Sequence, residues 1–79
     1  MNTQQRIINM ISWMANVPPS QICMTTNLRD DLGLDSIDVM SLIVQLEKWF
    51  DIILTNEEVE QIETVKDASD CISRHSISA

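Results

Sequence analysis

Apolar positions along this chain recur at helical rather than strand spacing. Ile7, Ile11 and Met14 fall at i, i+4 and i+7, with Ile8, Met10 and Trp13 widening the stripe. The pattern predicts an amphipathic helix over Thr3 to Ala15. Pro18-Pro19 ends it, because the residue before a proline is pushed out of the α region and proline has no N–H to donate. From Val17 to Leu34 the periodicity lapses, and only Ile22, Met24, Leu28 and Leu32 punctuate the stretch. A connection of that length is expected to be pinned to the core by those pegs and to carry function. After Gly33, Asp35 offers an N-cap and Asp38 a favourable negative charge in the first turn of a second helix. Ile37, Met40, Ile43, Val44 and Leu46 supply its predicted apolar face, which runs to Trp49 or Phe50. Thr55 to Glu58 has the form of a capping box that opens a short third helix burying Val59 and Ile62. Thr64 to Asp67 repeats the device before a fourth helix, with Val65, Ala68 and Ile72 at helical spacing. Residues 73–79 lose the pattern and read as a flexible tail.

The expected fold class is therefore all-α, a small four-helix bundle with a long first loop and a short third helix. One Gly and two Pro leave too few turn formers for a barrel or sandwich of many strands. With 79 residues the chain is read as one domain over 1–79, since domains divide only at roughly 100–200 residues each. A domain this short buries only about 60% of its unfolded surface, which leaves little room for an enclosed active site.

Charge narrows the function classes further. Twelve Asp and Glu against five Lys and Arg give a net charge of −7, the wrong sign for a phosphate backbone or an anionic bilayer. No nucleic-acid partner is expected, and no membrane insertion, because no stretch reaches the roughly 20 apolar residues of a span. Asn9, Ser12 and Asn16 interrupt residues 7–17, and no small-x-small cleavage site follows, so that segment reads as the first helix rather than a leader. Cys23 and Cys71 allow at most one bridge and are expected to be reduced, buried small residues of a cytoplasmic monomer.

All twelve acids lie between Asp30 and Asp70, with only Lys48 and Lys66 among them. Glu57, Glu58, Glu60 and Glu63 read as a solvated outer face. Asp30, Asp31, Asp35 and Asp38 instead crowd around Ser36, and their mutual repulsion points to a basic partner surface or a bound cation. Their spacing fails the EF-hand pattern, leaving only weak divalent binding open. Two distant cysteines and a single His75 lack the ligands of a zinc site, so no metal is expected. His75, placed in the tail, makes an unconvincing base for a nucleophilic Ser36. Without a Gly-rich phosphate loop or other catalytic groups, the chain is expected not to be an enzyme.

Ser36 alone would read as a helix-start serine. Its context, Asp31-Leu32-Gly33-Leu34-Asp35-Ser36-Ile37-Asp38 followed by a helix through Leu46, Glu47 and Phe50, resembles the attachment segment of acyl carrier proteins. The likeness spans nearly the whole chain, including the long first loop, Phe50-Asp51 and the Thr64-Val65 start of the last helix. It implies that Ser36 is esterified by 4′-phosphopantetheine from coenzyme A. It further implies a carrier that takes acyl thioesters to partner enzymes of fatty-acid, polyketide or specialised lipid synthesis. The implied partners are a phosphopantetheinyl transferase, or holo-carrier synthase, together with acyl transferases, ketosynthases or other acyl-processing enzymes. Asp35, Ile37, Asp38, Met40 and Glu47 are the implied docking residues. Ile37 stands where the family's motif has leucine, a like-volume replacement. Thr55 stands where many members have proline, and Pro18-Pro19 interrupts a stretch usually free of paired prolines. Ser41 and Lys48 replace acids common in the family, which shifts the expected contact toward Ile37 and Met40. The alternatives are a peptidyl or D-alanyl carrier, which Asp35 and the acidic run disfavour, and a helical interaction module in which Ser36 is only a cap.

Overall fold

Each of the four α-helices starts at side chains that satisfy its own first-turn N–H groups or those just before it. In this computed structural model, which describes residues 2–76, the elements are α1 (Thr3–Ala15), a 3₁₀ turn (Pro19–Gln21), α2 (Ser36–Phe50), α3 (Asn56–Gln61) and α4 (Val65–Ser76). Asn2 caps α1 by accepting from Gln5 N–H at 2.8 Å. Asp35 and Asp38 form a reciprocal box at the start of α2, and Thr55 and Glu58 form one at α3. Asp67 Oδ2 accepts from Glu63 and Thr64 N–H, each at 3.1 Å, while Thr64 Oγ1 accepts from Asp67 N–H at 3.2 Å. Such caps contribute about 1 kcal/mol apiece. α1 and α2 end at Asn16 and Asp51 in the left-handed conformation, with φ of 57° and 54°, which Asn and Asp tolerate better than other non-glycine residues.

The core is built from Ile7 and Ile11 of α1, Val39, Leu42, Ile43 and Leu46 of α2, and Val65, Ala68, Cys71 and Ile72 of α4. Leu54 and Ile62 seal it from the segments around α3. α1 packs chiefly on α4 and next on α2. The long loop is bound at both levels the sequence suggests: Ile22, Leu28 and Leu34 are buried, and Met24 and Leu32 pack against the core at its edge. Backbone bonds add to this. Leu28 N–H donates to Glu63 O at 2.9 Å, Val65 N–H to Thr26 O at 3.1 Å, and Lys66 N–H to Met24 O at 2.9 Å. The Asn27–Thr64 pairing they create is an isolated antiparallel bridge; the described residues are otherwise helix, turn and loop.

Four sequence expectations need correction. On α2, Met40 and Val44 are not inward: they are 51% and 42% exposed, and Ile37 is 76% exposed. α2 is apolar on two stripes, and the bundle core buries Val39, Leu42, Ile43 and Leu46, which match the i, i+3, i+4, i+7 template. Trp13 lies 82% exposed at the edge of α1 because the narrower Ile7–Ile11 seam already fills the contact with α4. Cys23 is exposed rather than buried, since its neighbour Ile22 takes the inward place; Cys71 is buried, and both thiols are free. Finally, α4 continues through Ser76, so residues 73–76 belong to a helix and not to a tail. Arg74 and His75 suit the negative end of its dipole, and a contact from α3 holds His75 in place. The rest of the proposed tail, residues 77–79, lies outside the described residues.

Candidate functional site

The segment before α2 is held by its own side chains. Asn27 Oδ1 accepts from Arg29 and Asp30 N–H, both at 2.9 Å, and Asp31 Oδ2 accepts from Asn27 N–H at 2.7 Å. Asp31 and Leu32 N–H turn back to Asn27 O, and Gly33 N–H to Arg29 O. Gly33 closes the turn at φ +71°, a conformation that costs a side chain strain. Leu34 N–H then reaches Leu28 O at 3.2 Å and the Leu34 side chain drops into the core. The chain is thereby delivered extended to Asp35.

Asp35 Oδ1 accepts from Asp38 N–H at 2.9 Å, and Asp38 Oδ2 faces Asp35 N–H at 3.4 Å. The cap is therefore made by the two aspartates. Ser36, first residue of α2 and exposed, is not needed for it. Ser36 and Ile37 N–H belong to the first-turn set that a helix cannot pair internally, and with the dipole they favour an anion on the Ser36 side chain.

Two depressions meet at Ser36. One, of about 420 Å³, runs inward between the loop, α2 and α3, with Asn27 and Asp30 at its mouth and Val39, Met40, Val59 and Ile62 as apolar wall. The other, also about 420 Å³ and more open, follows the outer face of α2 along Ile37, Met40, Ser41, Val44 and Gln45. A separate groove of about 830 Å³ lies between α1 and α2, lined by Met10, Trp13, Met14 and Trp49. Arg6 lines it too, its guanidinium 5.8 Å from the Trp49 ring centroid and 5.5 Å from that of Phe50.

Of the five expected docking residues, Asp35, Ile37, Asp38 and Met40 are exposed within one turn of Ser36. Glu47 is different. It sits eleven residues along, roughly 16 Å away at 1.5 Å per residue, and its Oε2 accepts from Leu54 N–H at 2.9 Å in a half-buried position. Its carboxylate ties down the α2–α3 connection.

A second cluster joins α3 to α4, and here the expectations for Glu58 and His75 fail, while Glu57, Glu60 and Glu63 are exposed as expected. Sequence pattern makes Glu58 a solvated acid and His75 part of a tail, yet Glu58 Oε2 is 2.7 Å from His75 Nε2 and accepts from Cys71 Sγ at 3.4 Å. The Thr55 backbone N–H, then His75, hold the Glu58 carboxyl down to about 2. Burial, then Glu58 beside it, pushes the Cys71 thiol up. For Asp67, burial alone would raise the carboxyl, but the Thr64 and Glu63 N–H groups outweigh it and the net shift is downward. The hydroxyls of Thr25 and then Thr26 lower the exposed Cys23 thiol. Nothing in spacing brings Glu58 to Cys71 and His75; only Cys71 and His75, four apart on one helix, carried a signal.

The profile of the family described as "Phosphopantetheine attachment site" matches residues 5–72. An acyl carrier protein from Enterococcus faecalis is similar in structure with a TM-score of 0.81 and 36% identity, over 92% of each chain. A protein of Mycobacterium tuberculosis ascribed to the acyl carriers matches with a TM-score of 0.81 and 30% identity, over 91% of this chain and 97% of the other. The chain belongs to the phosphopantetheine-bearing acyl carrier proteins. Its prosthetic group is 4′-phosphopantetheine, and the family works with phosphopantetheinyl transferases and acyl-processing enzymes.

Proposed function

We propose that Ser36 Oγ is the attachment point and that the chain carries acyl groups, without catalysis of its own, between enzymes of fatty-acid, polyketide or specialised lipid synthesis. One observation carries the reading: Ser36 is exposed at the first turn of α2 while Asp35 and Asp38 make the cap, so the hydroxyl is open to esterification at no cost to the fold. The prosthetic group supplies a terminal thiol that holds the acyl chain as a thioester. The chain's own residues fit it. Ser36 and Ile37 N–H with the helix end offset the repulsion between a phosphodiester and Asp35 or Asp38. Asp35 and Asp38 present charge to a basic partner, which speeds encounter and fixes register more than it adds affinity. Ile37 and Met40, exposed beside them, supply the apolar part of that contact.

The inward depression suits an acyl chain, which would lie between Val39, Met40, Val59 and Ile62. Met40 has the pliancy such a wall needs. Ala68 is buried deeper in the core, Met10 lies by the α1–α2 groove and Val44 faces outward, so none of the three lines this depression. The test has two stages. Incubation with coenzyme A and a broad-specificity phosphopantetheinyl transferase should add one phosphopantetheine, lost in Ser36→Ala. Loading a medium-length acyl chain should then raise the melting temperature, because a ligand bound only by the native state stabilises it. Failure of the first stage overturns Ser36 as the tether and leaves it a helix-start serine. An unchanged melting temperature in the second leaves the carrier role intact and puts the cargo in solvent.

A further inference from the structure

We infer that Glu58, Cys71 and His75 form a zinc site that fastens α3 to α4. Cys71 and His75 are four apart on α4 and so share one of its faces. Glu58 reaches them from α3, and the capping box divides the work of its two oxygens. Oε1 accepts from Thr55 N–H at 3.0 Å, which leaves Oε2 facing His75 Nε2 at 2.7 Å and Cys71 Sγ at 3.4 Å. The three donor atoms lie within 4.8 Å of one another. Bonds of about 2.0–2.3 Å in a tetrahedron place ligand atoms roughly 3.3–3.8 Å apart, so small rotations of the side chains complete the geometry.

The donors decide the metal. A thiolate with an imidazole and a carboxylate is a borderline-soft set that suits zinc and disfavours magnesium or calcium, which prefer all-oxygen ligands. Access is present as well: a small cavity of about 90 Å³ touches Glu58 and Cys71 and is bordered by Asp67, Asp70 and Arg74. It is large enough for a water molecule as fourth ligand, and the two aspartates offset Arg74. On binding, the Cys71 Sγ–H bond breaks and a Zn–S bond forms, with the proton released to solvent. Glu58 binds as the carboxylate, and His75 gives up to solvent the Nε2 proton that it directs at Glu58 Oε2, so that the neutral ring presents the Nε2 lone pair with its ring proton on Nδ1. Because α3 also supplies Val59 to the wall of the Ser36 depression and leads directly into Ile62 there, the clamp would stiffen that wall.

The test is a titration of the chelator-treated chain with Co²⁺ and then Zn²⁺. In Cys23→Ser, which removes the exposed thiol, Co²⁺ should give a thiolate-to-metal charge-transfer band saturating at one equivalent. Zn²⁺ should abolish the band and raise the melting temperature by mass action, and excess Mg²⁺ should leave the band in place. Cys71→Ser should lose the band. His75→Gln should weaken binding at least about tenfold, the low end of what even an outer-shell partner costs. No thiolate band in Cys23→Ser, or unchanged Co²⁺ affinity in His75→Gln, overturns the assignment. Because His75 is partly exposed, that variant decides the matter if the buried Cys71→Ser fails to fold.

Discussion

Replacing Ser36 and Asp35 one at a time separates tethering from capping. Asp35 Oδ1 accepts from Asp38 N–H at 2.9 Å, so Asp35→Ala removes the principal capping bond of α2. The expected loss is about 1 kcal/mol, within the roughly 0.5–2 kcal/mol of N-cap deletions. For a domain of this size that lowers the melting temperature by roughly 4–8 °C. Ser36 makes no part of that box, is exposed and sits at a position where alanine is a good helix former, so Ser36→Ala should stay within about 0.5 kcal/mol of the parent. Circular dichroism melts give the stabilities, and intact mass after incubation with coenzyme A and transferase gives the modification. Asp35→Ala should melt early and, with its docking charge gone, gain the prosthetic group more slowly but to the same end point; Ser36→Ala should melt normally and gain nothing. A modified Ser36→Ala, at Ser41 or any other serine, refutes the tether assignment. A drop of more than about 1 kcal/mol in Ser36→Ala refutes the division of roles.

Asp38→Lys should slow prosthetic-group transfer at low salt, with the defect shrinking as ionic strength rises, because exposed charges are screened beyond about 8 Å at physiological salt; equal rates at every salt would remove Asp38 from docking. Glu47→Lys should lower the melting temperature, since it strips the acceptor from Leu54 N–H, and a variant that melts normally but transfers slowly would place Glu47 in docking rather than in the fold. Ile37→Ser with Met40→Ser should impair transfer between partners while leaving stability near that of the parent, as both side chains are exposed; a cooperative melt lowered by several degrees would mean that they pack. Glu58 titrates at about 2 in the fold against an ordinary 4.5, so its contribution is complete above the ordinary value and disappears as pH falls toward 2. In chelator, the stability gap between the parent and Glu58→Gln should close as pH falls from about 5 toward 2; a gap that persists at pH 2 would show that ionisation of Glu58 is not its source.

What the sequence determined was local. Helix starts were legible because Asp35, Thr55 and Thr64 each satisfy N–H groups three residues away, a demand that any helix end makes wherever it lies in the fold. The stop at Pro18-Pro19, the pegs Ile22 and Leu28, and the seam of Ile7 and Ile11 follow from backbone chemistry and from a one-sided apolar stripe. Ser36 was legible through its neighbours. The tertiary structure decided whatever depended on which of two surfaces meets a neighbour. α2 carries two apolar stripes, so periodicity alone did not choose between them; packing into the common core buried Val39 and Leu42 and left Ile37, Met40 and Val44 to face outward beside Ser36. Likewise Glu47, Glu58 and His75 look like surface charge in one dimension. Their roles come from partners at Leu54, from Cys71 and from each other, brought within reach only when α3 and the end of α4 pack together.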